Sequence, residues 1–436
     1  ASVSIGHNKI AIGSPQNDYD SRDDIDDERG KVYIYNTDGS FDFEISGAGI
    51  VTDEALFGHK VMIKENKIIV SAPWHNHSYS SSNRVNEEGS VYIFNLDGSN
   101  RVDLNGSPNW FFGWDFDVDD GKIAISAPGK NVSGLIGNGG VHVYNLDGTG
   151  ELIIEPSVGL RPYGAYFGTS VAMGHGKIVV GCPRWNGNET YAGSNFNDRG
   201  AAYVYNVDGT GEIQLQTPDD VTSPNGDELY FGTCVRIAHN KIFISEPGRQ
   251  STEPIMPEAT AYSQRYRWGK IHIYDMSGNH LTSIYPGIQG RIETVGAGIN
   301  DWWSGTFEVS NNKLIVSASR ADTLTLYEDV VGDKERGIYS GAVYVYDVGD
   351  SSTSDVNLIT NERVLYPSLE VYHNQEERNL SRYTYLSGAA HDFGTIASHF
   401  RGLYRFGYGE RIISTDGNII AVGAPSIRGS EVLGGD

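Results

Sequence analysis

The side chains best suited to chemistry are carboxylates. The run NDYDSRDDIDDERG, from Asn17 to Gly30, sets Asp18, Asp20, Asp23 and Asp24 close together, and calcium takes about six to eight such oxygen ligands. Their spacing fixes no geometry, and a run of like charge serves equally as a solvated loop. A second segment, DFDVDDG from Asp115 to Gly121, superficially has D-x-D-x-D-x-G spacing. Alternation puts Asp115 and Asp117 on a strand, and Asp120-Gly121 reads as the turn that ends it. The chain is therefore read as one without a cofactor, with calcium at the acidic loop as the alternative.

Catalytic signatures are missing from the sequence. It has no G-x-S-x-G, H-E-x-x-H or G-x-x-x-x-G-K-[ST] pattern, so no activated serine, zinc helix or phosphate loop is indicated. The histidines are scattered, and His7, His175 and His239 recur at one turn position, where a small or polar residue suits the bend. Cys182 and Cys234 are the only cysteines, too few for a disulfide framework or a thiolate zinc site. Two buried thiols are favoured over a bridge between them.

Composition narrows the partners. A formal net charge of -23 at pH 7 repels nucleic-acid phosphates and anionic membranes, and no apolar run approaches the roughly 20 residues of a membrane helix. With 54 Gly and 4 Met, the chain is rich in turns and poor in long helices, which predicts an all-β fold.

The elements that must carry these groups repeat. FGHKVMIKENKIIVSAP, FGWDFDVDDGKIAISAP, FGTSVAMGHGKIVVGCP and FGTCVRIAHNKIFISEP begin at Phe57, Phe112, Phe167 and Phe231, with a fainter copy from Trp303 and a last one from Phe406. Each of the first five continues through a variable loop into an alternating strand and a second turn, as in GSVYIFNLDGS and GAVYVYDVGDS. Large apolar side chains on both faces of these strands require a sheet packed between two neighbours. The unit is a four-stranded antiparallel sheet with two hairpins, and units that cannot bury both faces alone stack radially. The prediction is one all-β domain, a seven-bladed β-propeller over residues 1–436, with blades near 1–56, 57–111, 112–166, 167–230, 231–302 and 303–405, and a partial seventh at 406–436. Residues 350–405 are taken as an insertion and a candidate partner-binding flap. The opening ASVSIGHNKIAIGSP starts just after an expected Phe-Gly and the last copy stops after two strands, so either residues beyond Asp436 complete the seventh blade, the favoured reading because an open edge invites aggregation, or the ring stays open beside a partner.

Phe-Gly, a strand, AVGAP (Ala421 to Pro425) and GAVYVY (Gly341 to Tyr346) resemble the FG-GAP repeats of the integrin α-subunit propeller. The phrasing of GKIVVG, GAVYVY and NLDGTGE is similar in style to repeat proteins in virions of tailed marine phages that infect cyanobacteria. The integrin resemblance implies calcium in a long loop between the first two strands of a blade. Here that connection has shrunk to GHN, KEN, DDG, GHG, AHN and SNN, so the calcium role does not carry over.

Antiparallel blades put both hairpins on one face of the disc and the long, variable loops on the other. Variable loops on a rigid scaffold are where recognition is built, and they hold Trp74, His75, His77, Tyr163, Trp185, Tyr262, Tyr266 and Trp268. Aromatics there can stack on sugars or anchor a protein partner; their other role is to plug crevices between blades. The expected function is a non-enzymatic structural or receptor- and glycan-binding component at a surface, foremost a virion, with other virion or surface proteins and host glycans as partners. A calcium-dependent secreted or cell-surface adhesion propeller and a polysaccharide-degrading enzyme are the alternatives.

Overall fold

A computed structural model describes residues 2–15, 29–52, 55–76, 87–132, 134, 137–157, 164–185, 198–218, 229–248, 269–284, 306–310, 312–318, 342–349, 359–365, 413–415 and 420–422. Every element among them is a β-strand or turn. The first blade contains Ser2–Gly6 (β1), Lys9–Ser14 (β2), Lys31–Asn36 (β3) and Phe41–Ser46 (β4). The second has Val61–Lys64 (β5), Lys67–Ala72 (β6), Ser90–Asn95 (β7) and Val102–Asn105 (β8), and the third Phe116–Asp119 (β9), Lys122–Ala127 (β10), Gly140–Asn145 (β11) and Leu152–Ile154 (β12). The fourth has Ser170–Gly174 (β13), Lys177–Cys182 (β14), Ala201–Asn206 (β15) and Ile213–Leu215 (β16), and the fifth Val235–Ala238 (β17), Lys241–Glu246 (β18), Lys270–Asp275 (β19) and His280–Ile284 (β20). The sixth has Phe307–Ser310 (β21), Lys313–Ala318 (β22), Ala342–Val348 (β23) and Ile359–Leu365 (β24). Each blade is antiparallel, with its strands paired in chain order.

The molecule is thus an all-β propeller, and among the described residues it has six four-stranded blades where the repeats predicted seven. Ile413–Thr415 (β25) and Ile420–Val422 (β26) pair only with each other, because no third repeat strand follows them among the described residues. They lie against β1 and β21, between the first and sixth blades. Residues 359–365, assigned from the sequence to an insertion, are instead the outer strand of the sixth blade, paired with β23. The rest of 350–405 lies outside the described residues.

Five apolar layers hold the blades together. Between the first and second, Ala11, Val32, Ile34 and Ile45 meet Ile68, Val70, Tyr92 and Phe94; equivalent layers follow at each later junction. The Phe-Gly signature belongs to these junctions. Phe57, Phe112, Phe167 and Phe231 are fully buried, and their amides donate to carbonyls of the preceding blade, at Arg29, Glu88, Asn138 and Arg199. A glycine ends each long loop where that Phe backbone crosses it: at Gly139, φ is 81° and a Cβ would sit 1.9 Å from the Phe167 carbonyl oxygen, so no other residue fits.

The two hairpins solve their bends differently. The first is a two-residue turn with both residues at positive φ, as at His7-Asn8, Glu65-Asn66 and His239-Asn240, matching the twist of the strands. The second, which carries the Asp-Gly of the repeats, is a three-residue loop. Gly39 N–H donates to the Asn36 carbonyl, Asn36 N–H to that of Ser40, and only Gly39 has positive φ, the geometry of a type I turn followed by a bulge. Asp38, Asp97, Asp147 and Asp208 accept from the Ser or Thr two residues on, which holds these carboxyls below their usual range.

Candidate functional site

The long-loop face is built on identical stems. After the second strand and its proline, the N–H groups of His75, Lys130 and Trp185 donate to Ala72, Ala127 and Cys182. The carbonyls of the same three residues then accept from Gly89, Gly139 and Gly200. Loops 76–88, 131–138 and 186–199 are therefore pinched at their bases, whatever lies between.

The predicted aromatics divide accordingly. His75 and Trp185 are stem residues and are buried. His75 Nδ1 accepts the Thr52 N–H, and Trp185 packs into the layer between the third and fourth blades. Trp74, beside His75, is half-buried. His75 and Trp185 thus sit beneath the loops rather than on them. His77, Tyr163, Tyr262, Tyr266 and Trp268 lie outside the described residues, as do Asp18, Asp20, Asp23 and Asp24.

Sequence reasoning missed the cluster that the short loop of the third blade assembles. Lys130 occupies the same stem position as His75 and Trp185. Its Nζ lies 3.3 Å from His142 Nε2, 3.1 Å from Glu155 and 4.8 Å from the centre of the Trp110 ring. His142 Nδ1 lies 2.8 Å from Glu151 Oε1, which also accepts the Tyr144 hydroxyl at 2.6 Å. With Nδ1 bearing the proton, His142 donates to Glu151 and accepts from Lys130. Burial pushes the His142 pKa down, while the Tyr144 hydroxyl and then His142 hold Glu151 low. Trp110 and Glu155 remain partly accessible, leaving an aromatic face beside a charged rim.

The fifth blade repeats the theme with other partners. His272 Nδ1 is 2.7 Å from Ser283 Oγ and its Nε2 is 3.1 Å from Glu246. That order of hydroxyl, imidazole and carboxylate is the one nucleophilic catalysis uses. Here, however, both His272 and Glu246 are fully enclosed. In strand register His272 and His142 occupy the place of Tyr92 and Tyr203. The signal was legible as the one departure from tyrosine in GGVHVYN and GKIHIYD.

Around the axis, the innermost strands latch one blade to the next. Ser2 and Ser4 accept the N–H groups of Val61 and Ile63. Asp115 and Asp117 accept those of Val171 and Met173, and Ser170 that of Val235. Lys60, fully buried, pairs with Asp115, and Arg236 with Glu308 at 3.1 Å. Asp115 and Asp117 lie on or at the start of the strand, as alternation predicted, and use their oxygens on backbone. The two-residue turns give the calcium of the integrin pattern no loop to wrap: Glu65 spends its carboxylate on the Gly121 N–H. Among the described residues, no group of three or more His, Cys, Asp or Glu side chains is placed to hold a metal. Cys182 and Cys234 are free, buried thiols, and burial raises both pKa values.

No protein-family model matches the chain, and no curated protein matches it. The class is defined by the fold: a β-propeller of four-stranded antiparallel blades.

Proposed function

We propose that the chain is a non-enzymatic recognition scaffold at a surface, a rigid disc that holds a partner protein or glycan through its long-loop face. The observation that carries this is the repeated stem. Loops that differ in length and sequence rise from the same pair of backbone bonds at 75–89, 130–139 and 185–200, so their bodies vary without disturbing the blades. A scaffold that insulates its framework from its loops is suited to recognition. The imidazole networks of the third and fifth blades favour this over catalysis, since His142 and His272 are buried inside their blades. The repeat phrasing supports a virion surface as the setting, with other virion proteins or host glycans as partners.

The test replaces 77–87 and 187–198 with Gly-Ser linkers, leaving the stems intact. Melting temperature should change by only a few degrees, because loop length costs little entropy, while binding to a glycan array and to intact host cells is lost. Retained binding in the folded variant would refute the loop-face assignment.

A further inference from the structure

Two neighbouring junctions finish their outer rims differently. In the fourth blade Glu212, just before β16, accepts the Tyr205 hydroxyl at 2.8 Å, and also the N–H and hydroxyl of Ser157 at 3.1 and 2.8 Å. Ser157 follows β12, so this carboxylate clamps the rim of the fourth blade to the third. By strand register, Glu151 is the counterpart of Glu212 in the third blade, and Ser107, after β8, is that of Ser157. Here the clamp is not made. Glu151 gives Oε1 to His142 and Tyr144, whereas Tyr203, in the place of His142, bonds Gln214 instead. Among the described residues, Glu151 Oε2 and the Ser107 hydroxyl carry no hydrogen bond. Both walls of the resulting rim cleft, 102–110 and 137–157, are described without a gap. Trp110 stands in it partly accessible, its indole N–H also without a hydrogen bond among the described residues. Lys130 and His142 are buried and back the ring, at 4.8 and 4.9 Å from its centre. Ile153, opposite His142 and therefore on the same face, is 46% exposed, as is the Glu151 side chain.

We propose that this unclamped rim cleft binds a neutral hexopyranose unit of a glycan. The apolar C–H face of the sugar packs on Trp110 and Ile153, since an aromatic ring offers a broad, rigid surface at low entropic cost. One sugar hydroxyl donates to Glu151 Oε2, and the Trp110 N–H and Ser107 hydroxyl meet further sugar oxygens. A few fixed polar groups beside an apolar wall are what orients a small ligand, and the bonds from His142 and Tyr144 already hold the carboxylate in place. Charge selects the class of sugar. Lys130 is paired with Glu155, so the Glu151 carboxylate repels an acidic sugar, as does the formal net charge of -23. A cationic ligand finds its place beside the indole already taken by Lys130. The cleft lies on the rim and owes nothing to the long loops, so its failure and that of the loop-face reading are separable.

The probes are the methyl glycosides of glucose, mannose, galactose and glucuronic acid, presented to the full chain and followed by saturation-transfer difference NMR, with titration of the strongest. Saturable binding of at least one neutral glycoside is expected, and none of the glucuronide. Trp110→Ala should weaken that binding at least ~10-fold by removing the aromatic anchor. Glu151→Gln keeps the shape of a half-exposed side chain and so leaves the fold intact; it should cost ~10-fold, because the acceptor loses its charge. Glu212→Gln, in the closed clamp next door, should leave the affinity unchanged. The variant with linkers at 77–87 and 187–198 should also keep it. No saturable binding of any neutral glycoside, equal affinity of the folded Glu151→Gln variant, or binding of the glucuronide as strong as that of a neutral sugar overturns the proposal. So does loss of binding in the linker variant, which would move the sugar to the loops.

Discussion

At the scale of single residues, most titratable side chains in the interior serve as acceptors and donors for backbone or for one another. His142 shows what this costs. Its imidazole stays neutral inside the third blade, chiefly because burial opposes the charge, whereas in the unfolded chain it takes up a proton near pH 6.5. Between those values the unfolded state binds more protons, so stability rises with pH and falls as pH drops below about 6.5. Tyr92 and Tyr203 hold the same register position in neighbouring blades, so His142→Tyr is sterically precedented. The melting temperature of the wild type should fall more steeply than that of His142→Tyr between pH 7 and pH 5. Parallel curves would mean the imidazole does not titrate with folding.

At the scale of the element, the innermost strand of a blade has a problem that its sequence solves. Its outer N–H groups face the axis with no further strand to pair, and buried amides left unpaired are costly. Ser2, Ser4, Asp115, Asp117 and Ser170 answer by reaching to the next blade. A carboxylate in that role needs a counter-charge when buried, and Lys60 provides it. Lys60→Met strands Asp115 and should cost about 3–5 kcal/mol, read by urea denaturation. Adding Asp115→Ser, the residue that the first and fourth blades use at this position, should recover at least half of the loss. If the double variant is no more stable than the single, the latch and the ion pair are not coupled as described.

At the scale of the whole molecule, a second ring of bonds runs across the hairpin face. His7, His175 and His239 each accept, through Nε2, the N–H of the turn in the following blade, at Asn66, Asn240 and Asn312, with separations of 3.3, 3.4 and 3.3 Å; Glu65 does the same for Gly121. The recurrence of histidine at this turn therefore reflects reach as well as tolerance of positive φ. Replacing all three by Asn keeps a residue suited to that backbone but shortens the arm. The triple variant should lose about 0.5–1 kcal/mol per junction, with an unchanged far-ultraviolet circular dichroism spectrum. No shift in the denaturation midpoint would show that these long, exposed bonds contribute nothing.

The blade itself was legible in the sequence because its determinants are local. Alternation, Phe-Gly, and turn residues of Asn, Asp and Gly set strand and turn within about fifty residues, and the order A-B-C-D follows from short antiparallel connections. The blade count was not legible in the same way. The last copy of the repeat marks only two strands, and whether others join them depends on partners far along the chain; β24 paired where an insertion was expected, while β25 and β26 pair only with each other among the described residues. The candidate site behaved likewise. That Lys130, His75 and Trp185 share one stem position could be aligned from the repeats, but their burial and the meeting of Lys130 with Trp110, His142 and Glu155 could not. Side-chain identity and strand period are properties of the sequence, whereas which side chains share a desolvated junction is decided only when neighbouring blades close on each other.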